Sequence, residues 1–122
     1  MSKTILIVDD SASLRQVVKL ALSGAGYEVI EACDGVDALG KLDGRKIHLI
    51  ISDVNMPNMD GITLVKEVKL KAEYKFTPII MLTTESQEEK KAQGQAAGAR
   101  AWVVKPFQPA QMLAAVSKLI AP

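Results

Sequence analysis

The stretch Leu49-Ile50-Ile51-Ser52-Asp53-Val54-Asn55-Met56-Pro57-Asn58-Met59-Asp60-Gly61 decides how the rest of the chain is read. An apolar run that begins at Ile47 ends in a single carboxylate, Asp53, and a turn rich in Pro, Asn, Asp and Gly follows. A short apolar run closed by turn residues is the pattern of a buried strand. A carboxylate at the carboxyl end of such a strand lies where open α/β sheets bind their ligands. Asp53 is therefore the first candidate for chemistry.

Upstream, Ile5-Leu6-Ile7-Val8 is another continuous β-branched run, stopped by Asp9-Asp10-Ser11, whose oxygens suit the N-cap of a helix. In that helix Leu14, Val17, Val18 and Ala21 form one apolar stripe, and Gly24 and Gly26 end it. Tyr27 to Ala32 alternates, as a half-exposed edge strand does. Asp34 caps a short helix carrying Val36, Leu39 and Leu42, closed around Gly44. Ile47 to Ile51 is the third strand, and Asp60 caps a third helix with inner residues Leu64, Val65, Val68 and Ala72.

Downstream, Pro78 to Leu82 reads as a fourth strand ending in Thr83-Thr84. Ser86 and Glu89 have the spacing of a capping box for a fourth helix, which Gly94 weakens and Gly98 ends. Ala101 to Val104 is a fifth strand, followed by Lys105-Pro106-Phe107. Pro109 then opens a helix with Met112, Val116, Leu119 and Ile120. Strict strand–helix alternation implies a parallel sheet with right-handed crossovers and helices on both faces. Apolar strands 1, 3 and 4 with an amphipathic strand 2 suit the order 2-1-3-4-5. This is the doubly wound, flavodoxin-like (βα)5 fold in three α/β/α layers.

The bulk numbers set bounds. The 122 residues fit one domain, and 24 % charged residues with abundant aliphatics mark a globular chain. A net charge of +1 gives no global attraction to nucleic acid or to membrane surfaces. No apolar run reaches the length of a membrane span, no signal-peptide core opens the chain, and the expected location is the cytoplasm by default. The single cysteine, Cys33, forms no internal disulfide and reads as a small buried hydrophobe. His48, the only histidine, starts a strand away from Asp53 and reads as structural.

In the 2-1-3-4-5 order, Asp9, Asp10 and Asp53 meet at the carboxyl ends of neighbouring strands. Thr83 joins them from strand 4 and Lys105 from strand 5. Three close carboxylates require a cation or a raised pKa. Magnesium suits an all-oxygen donor set, and one His with one Cys excludes a zinc constellation. A metal, a lysine and a hydroxyl around one carboxylate make a phosphoryl-transfer site with Asp53 as nucleophile.

Taken together, Asp9-Asp10, Asp53 through Gly61, Thr83 and Lys105-Pro106-Phe107 resemble the receiver domain of bacterial two-component response regulators over the whole chain, residues 1–122. The single-domain chemotaxis type is the nearest resemblance. It implies that Asp53 accepts a phosphoryl group from a chemotaxis-type sensor histidine kinase. It also implies that Asp10, Asp53 and the Asn55 carbonyl bind Mg²⁺, with Asp9 acting through water. Lys105 would pair with the phosphoryl oxygens, Thr83 would hydrogen-bond one of them, and Trp102 would reorient with Thr83. The Lys105–Pro106 bond would be cis. Asn55 and Glu85 match positions that tune dephosphorylation, which brings in a phosphatase as a further partner.

The same resemblance implies a monomer whose surface around the fourth helix, Trp102 and the fifth helix binds a flagellar motor switch protein or similar output. Thr84, Trp102 and Ser11 depart from the commonest residues of that type and bear on partner and lifetime. Two other readings stand beside it. One is a phosphorelay intermediate handing the group to a histidine-phosphotransfer protein. The other is a magnesium-dependent phosphohydrolase, against which Asn55 occupies the place of the usual second aspartate. A transcription factor is not expected, since no DNA-binding domain follows before Pro122.

Overall fold

A computed structural model of the chain describes residues 3–83, 88–105 and 108–120. Strands and helices alternate throughout: β1 (Thr4–Val8), α1 (Ala12–Gly24), β2 (Glu28–Ala32), α2 (Gly35–Lys41), β3 (Leu49–Asp53), α3 (Gly61–Leu70), β4 (Ile79–Thr83), α4 (Glu88–Ala97), β5 (Ala101–Val104) and α5 (Pro109–Leu119). The strands form one sheet in the order β2-β1-β3-β4-β5, and all four pairings are parallel. The chain thus has the expected flavodoxin-like fold, with β1 and β3 flanking the topological switch point.

Period-two alternation divides the sheet between two cores. Even-numbered Leu6, Val8 and Ile50 and odd-numbered Ile79 and Met81 pack with Ala38, Leu42, Leu64, Val65 and Val68 of the α2 and α3 side. Ile5, Ile7, Leu49, Ile51, Ile80 and Leu82 face Val18 and Leu22 of α1 and Met112 and Val116 of α5. Full burial of each such side chain is worth about 1.5–3 kcal/mol, so the central strands hold the sheet together. Three helix starts are fixed by side-chain caps. Ser11 accepts from Leu14 N at 3.2 Å, Asp34 from Asp37 N at 2.8 Å and Asp60 from Thr63 N at 2.7 Å. At the other end of α1, Gly26 takes φ 96°, a conformation that admits glycine without a Cβ clash.

Several boundaries and faces differ from the sequence reading. β3 runs from Leu49 to Asp53 rather than from Ile47 to Ile51. Polar Ser52 and Asp53 stay in the ladder because their backbones pair with Met81 and Leu82, whatever their side chains. The buried stripe of α1 follows Leu14, Val18 and Leu22, and Val17 is 51 % exposed. α2 is only seven residues long and turns Gly35 and Ala38 inward, leaving Val36 outside. α3 stops at Leu70, so Ala72 is exposed. Tyr74 takes the inner place, its hydroxyl accepting from Gly44 N at 3.0 Å and donating to Arg45 O at 2.7 Å. Cys33 is exposed just past the end of β2. The expected cap at Ser86, together with Thr84, Glu85, the Lys105–Pro106 bond and Phe107, lies outside the described residues.

His48 is structural, as its sequence position indicated. Its Nδ1 accepts from Thr4 N at 2.9 Å, while its own N–H donates to Thr4 O at 2.8 Å, tying the start of β3 to β1. That acceptor role requires a neutral ring. Burial first, then Lys3 and Lys46, pushes its pKa below the ordinary 6.5. A depressed histidine pKa means the unfolded chain binds the proton more readily. Stability is therefore expected to be present in full above about pH 6.5 and to be lost as pH falls through the folded-state value. Calorimetry of wild type and His48→Asn across that window checks this: the difference between them should shrink on acidification.

Candidate functional site

The carboxyl ends of β1, β3, β4 and β5 bring the expected residues to one place. Asp9 directly follows β1, whose odd-numbered residues face the α1 and α5 side, and Lys105 directly follows β5, where Val103 faces the same side. Asp53 ends β3 with the parity of Leu49 and Ile51. The alternation therefore aims these three side chains into one space. Lys105 Nζ lies 3.2 Å from Asp9 Oδ2 and 3.2 Å from Asp53 Oδ2. One carboxylate oxygen from each of Asp9, Asp10 and Asp53 lies within 4.8 Å of the others. Asp9 is almost wholly buried, Asp53 is 8 % exposed and Asp10 is open to solvent.

The cluster explains the titration of Asp53. Burial pushes its carboxyl above the ordinary 3.8; the Lys105 ammonium pulls it back, and the Asp9 charge adds to the rise. Desolvation therefore outweighs the lysine, and mutual repulsion of the carboxylates is the smaller reason for the rise. The remaining oxygens are held by main-chain donors. Asp53 Oδ1 accepts from Val54 N at 2.8 Å, and Asp9 Oδ1 accepts from Ser11 N at 2.8 Å. Three carboxylates with one open flank at Asp10 and no histidine or cysteine donor form the donor set of a hard divalent cation. Asn55 is exposed in the turn two residues beyond Asp53.

Thr83 ends β4 as a buried residue, and its carbonyl accepts from Lys105 N at 2.6 Å, tying β4 to the start of the lysine loop. Asp53 is paired with Leu82, so Thr83 lies one residue further along the neighbouring strand. Trp102 is paired with Met81, two residues before Thr83, which puts Thr83 and Trp102 on the same sheet face. The indole is partly buried against the α2–α3 core.

Residues outside the expected set hold the loops in shape. Gly61 N donates to Val54 O at 2.8 Å, folding the turn after Asp53 back on itself. A Cβ on Gly61 would stand 2.1 Å from the Asp53 carbonyl oxygen. Asn58 has φ 67° and donates from Nδ2 to Asp34 Oδ2 at 2.7 Å, fastening the same turn to the start of α2. The Asp37 N–H first, and Asn58 second, hold the Asp34 carboxyl below its usual range. Met59 covers Gly35 so closely that no Cβ fits there. On the other side Arg15 pairs with Glu31 at 3.2 Å and donates from Nη1 to the Asp9 carbonyl. Asn58 carried a readable signal, since Asn is the non-glycine residue that most readily accepts positive φ. Arg15 carried none.

An acidic cluster, a bridging lysine and a buried threonine thus lie at the switch-point end of the 2-1-3-4-5 sheet. Residues 5–117 match the family described as response regulator receiver domain, and the chain belongs to that family. It is 44% identical over 107 residues to the chemotaxis protein CheY1 of Helicobacter pylori, covering 86% of each chain. Among solved structures it is similar to the chemotaxis response regulator CheY4 of Vibrio cholerae, with a TM-score of 0.93 and 49% identity over 98% of this chain and 100% of that one. The fold is shared at a TM-score of 0.89 and 24% identity, over 98% of each chain, by the receiver domain of the sensor histidine kinase PA1611 of Pseudomonas aeruginosa. That domain holds a magnesium ion in its active site cleft. The chain is thus a receiver domain similar to the CheY chemotaxis regulators, a class of phospho-accepting switches rather than of classical enzymes. Among the described residues, no helix is long and apolar enough to cross a membrane.

Proposed function

We propose that the chain, as one receiver domain over residues 1–122, accepts a phosphoryl group on Asp53 from a sensor histidine kinase and passes the signal to an output protein. The convergence of Asp9, Asp10 and Asp53 with the Lys105 ammonium carries this reading. The CheY relatives, matched over most of their own length, support chemotaxis as its setting; its proposed place is the cytoplasm. An Asp53 oxygen would attack phosphorus as the phosphorus–nitrogen bond to the kinase histidine breaks. Lys105, already 3.2 Å from Asp53 Oδ2, would pair with the oxygens of the arriving group. Asp9, Asp10, Asp53 and the Asn55 carbonyl would hold Mg²⁺, which supplies charge neutralisation for the developing oxyanions.

The new group would bring up to two negative charges beside Thr83, whose hydroxyl would turn to donate to one of its oxygens. Trp102, on the same face, would then redistribute between two positions, shifting an equilibrium that exists beforehand. Its surroundings suit an output surface. A groove of about 850 Å³ runs along β5 and α5, lined by Arg100, Trp102, Val104, Gln111, Lys118 and Leu119. Asn55 and Glu85 would tune how long the group survives, with a phosphatase able to shorten it.

Trp102 is the sole tryptophan, which makes the test direct. Mg²⁺ followed by a small phospho-donor should change its fluorescence, and Asp53→Asn should remove the response to the donor. An unchanged donor response in that variant would sink the mechanism. Competition between a motor switch protein and a histidine-phosphotransfer protein for the phosphorylated form then tells motor output from a phosphorelay.

A further inference from the structure

We propose that Gly94 is the seat of the Trp102 indole, a positioning residue that makes helix α4 follow the ring. A Cβ on Gly94 would stand 2.2 Å from Trp102 Cη2, 2.9 Å from Cζ2 and 3.3 Å from Cζ3. No side chain fits between them, so the benzo ring of the indole lies directly on the helix backbone. A glycine within a helix is costly relative to alanine, and here the missing side chain is occupied space. Gly94 is therefore more than the soft point its sequence position indicates.

The contact joins two elements at a point where one of them is anchored. The Gly94 carbonyl accepts from both Gly98 N and Ala99 N at 3.0 Å, so the closing turn of α4 is built on the same residue. Ala97 and Ala99 pack against the same core cluster as Trp102. If the indole leaves, Gly94 has no side chain to fill the gap, and the vacancy lies under that closing turn. Packed interiors do not leave such a gap open, so α4 settles toward the sheet. Departure of the ring would thereby become a displacement of α4, with no side chain of α4 needing to sense it. The link to signalling rests on the proposed switching of Trp102; the seat itself does not.

Gly94→Ala gives the test. What the new methyl meets is the far end of a side chain with two rotatable bonds, so the ring rather than the helix gives way. In the unphosphorylated protein the Trp102 emission is expected to move to longer wavelength and its quenching by acrylamide to rise. Thermal midpoints should show a reversal of sign. Gly94→Ala lowers the midpoint with Trp102 present and raises it in a Trp102→Val background, where only helix propensity remains. If Gly94→Ala alone does not fold, recovery of folding by Trp102→Val supports the seat, and failure of the double variant overturns it. An unchanged emission spectrum, or the same sign of midpoint change in both backgrounds, also overturns it.

Beryllofluoride with Mg²⁺ addresses the coupling. In wild type it should change both the Trp102 signal and amide exchange in α4, and in Gly94→Ala the α4 change should be lost. A wild-type protein whose Trp102 ignores beryllofluoride defeats the switching reading, while the midpoint reversal still decides the seat.

Discussion

Asp53→Asn is expected to abolish phosphoryl acceptance and at the same time to make the metal-free protein more stable at neutral pH. The two effects have one cause. Burial raises the Asp53 pKa above the unfolded value of 3.8 despite the Lys105 ammonium at 3.2 Å. A raised carboxyl pKa means that the folded state binds the proton more tightly than the unfolded chain. The protonated group's contribution is present below the unfolded value and is lost as pH rises through the folded one. Asparagine keeps the shape without the charge, and Lys105 keeps Asp9 as a partner. A rise in Tm is therefore expected at neutral pH, its sign set by the direction of that shift. It should vanish at about pH 3 and below, where Asp53 is protonated in both states. Differential scanning calorimetry in the presence of a chelator measures it. Mg²⁺ should then stabilise wild type and have much less effect on the variant.

Gly61→Ala has the second large effect, of opposite sign. The new methyl would meet the Asp53 carbonyl oxygen at 2.1 Å, its carbonyl carbon at 3.0 Å and Met81 Cε at 2.7 Å. Met81 can yield, but the Asp53 backbone is held in the ladder with Leu82 and cannot. The turn must therefore open, which breaks the 2.8 Å bond from Gly61 N to Val54 O. Overpacking against fixed backbone together with a lost hydrogen bond costs about 2–4 kcal/mol, or about 10 °C in Tm. Because the same turn carries Asn55, Mg²⁺ affinity should fall further than stability alone explains. Thermal unfolding with and without Mg²⁺ separates the two: equal losses under both conditions would mean that Gly61 serves the fold only.

Both variants act on parts of the molecule that differ in how readily the sequence shows them. Asp9, Asp10, Asp53, Thr83 and Lys105 are visible because each is a polar residue that ends an apolar run, and strand order alone brings such residues together. The caps at Ser11, Asp34 and Asp60 are visible for the same local reason. Helix faces are less so. Val17, Val36 and Ala72 have the right spacing to be inside, but which side of a helix is covered depends on what packs against it. Tyr74 displaces Ala72 because its hydroxyl finds Gly44 and Arg45 across 29 to 30 residues of sequence, a tertiary fact with no local signature. Gly61 and Gly94 look like an ordinary helix start and a helix defect. Only three-dimensional neighbours show that each is small because a carbonyl in one case and an indole in the other occupies the space.

Whether Asp53 is the acceptor is decided by mass spectrometry after exposure to a small phospho-donor and Mg²⁺. Intact wild-type protein should gain the mass of a single phosphoryl group, the peptide containing Asp53 should carry it, and a chelator or Asp53→Asn should remove it. A phosphoryl group found on a different residue, or retained in full by Asp53→Asn, would contradict the account.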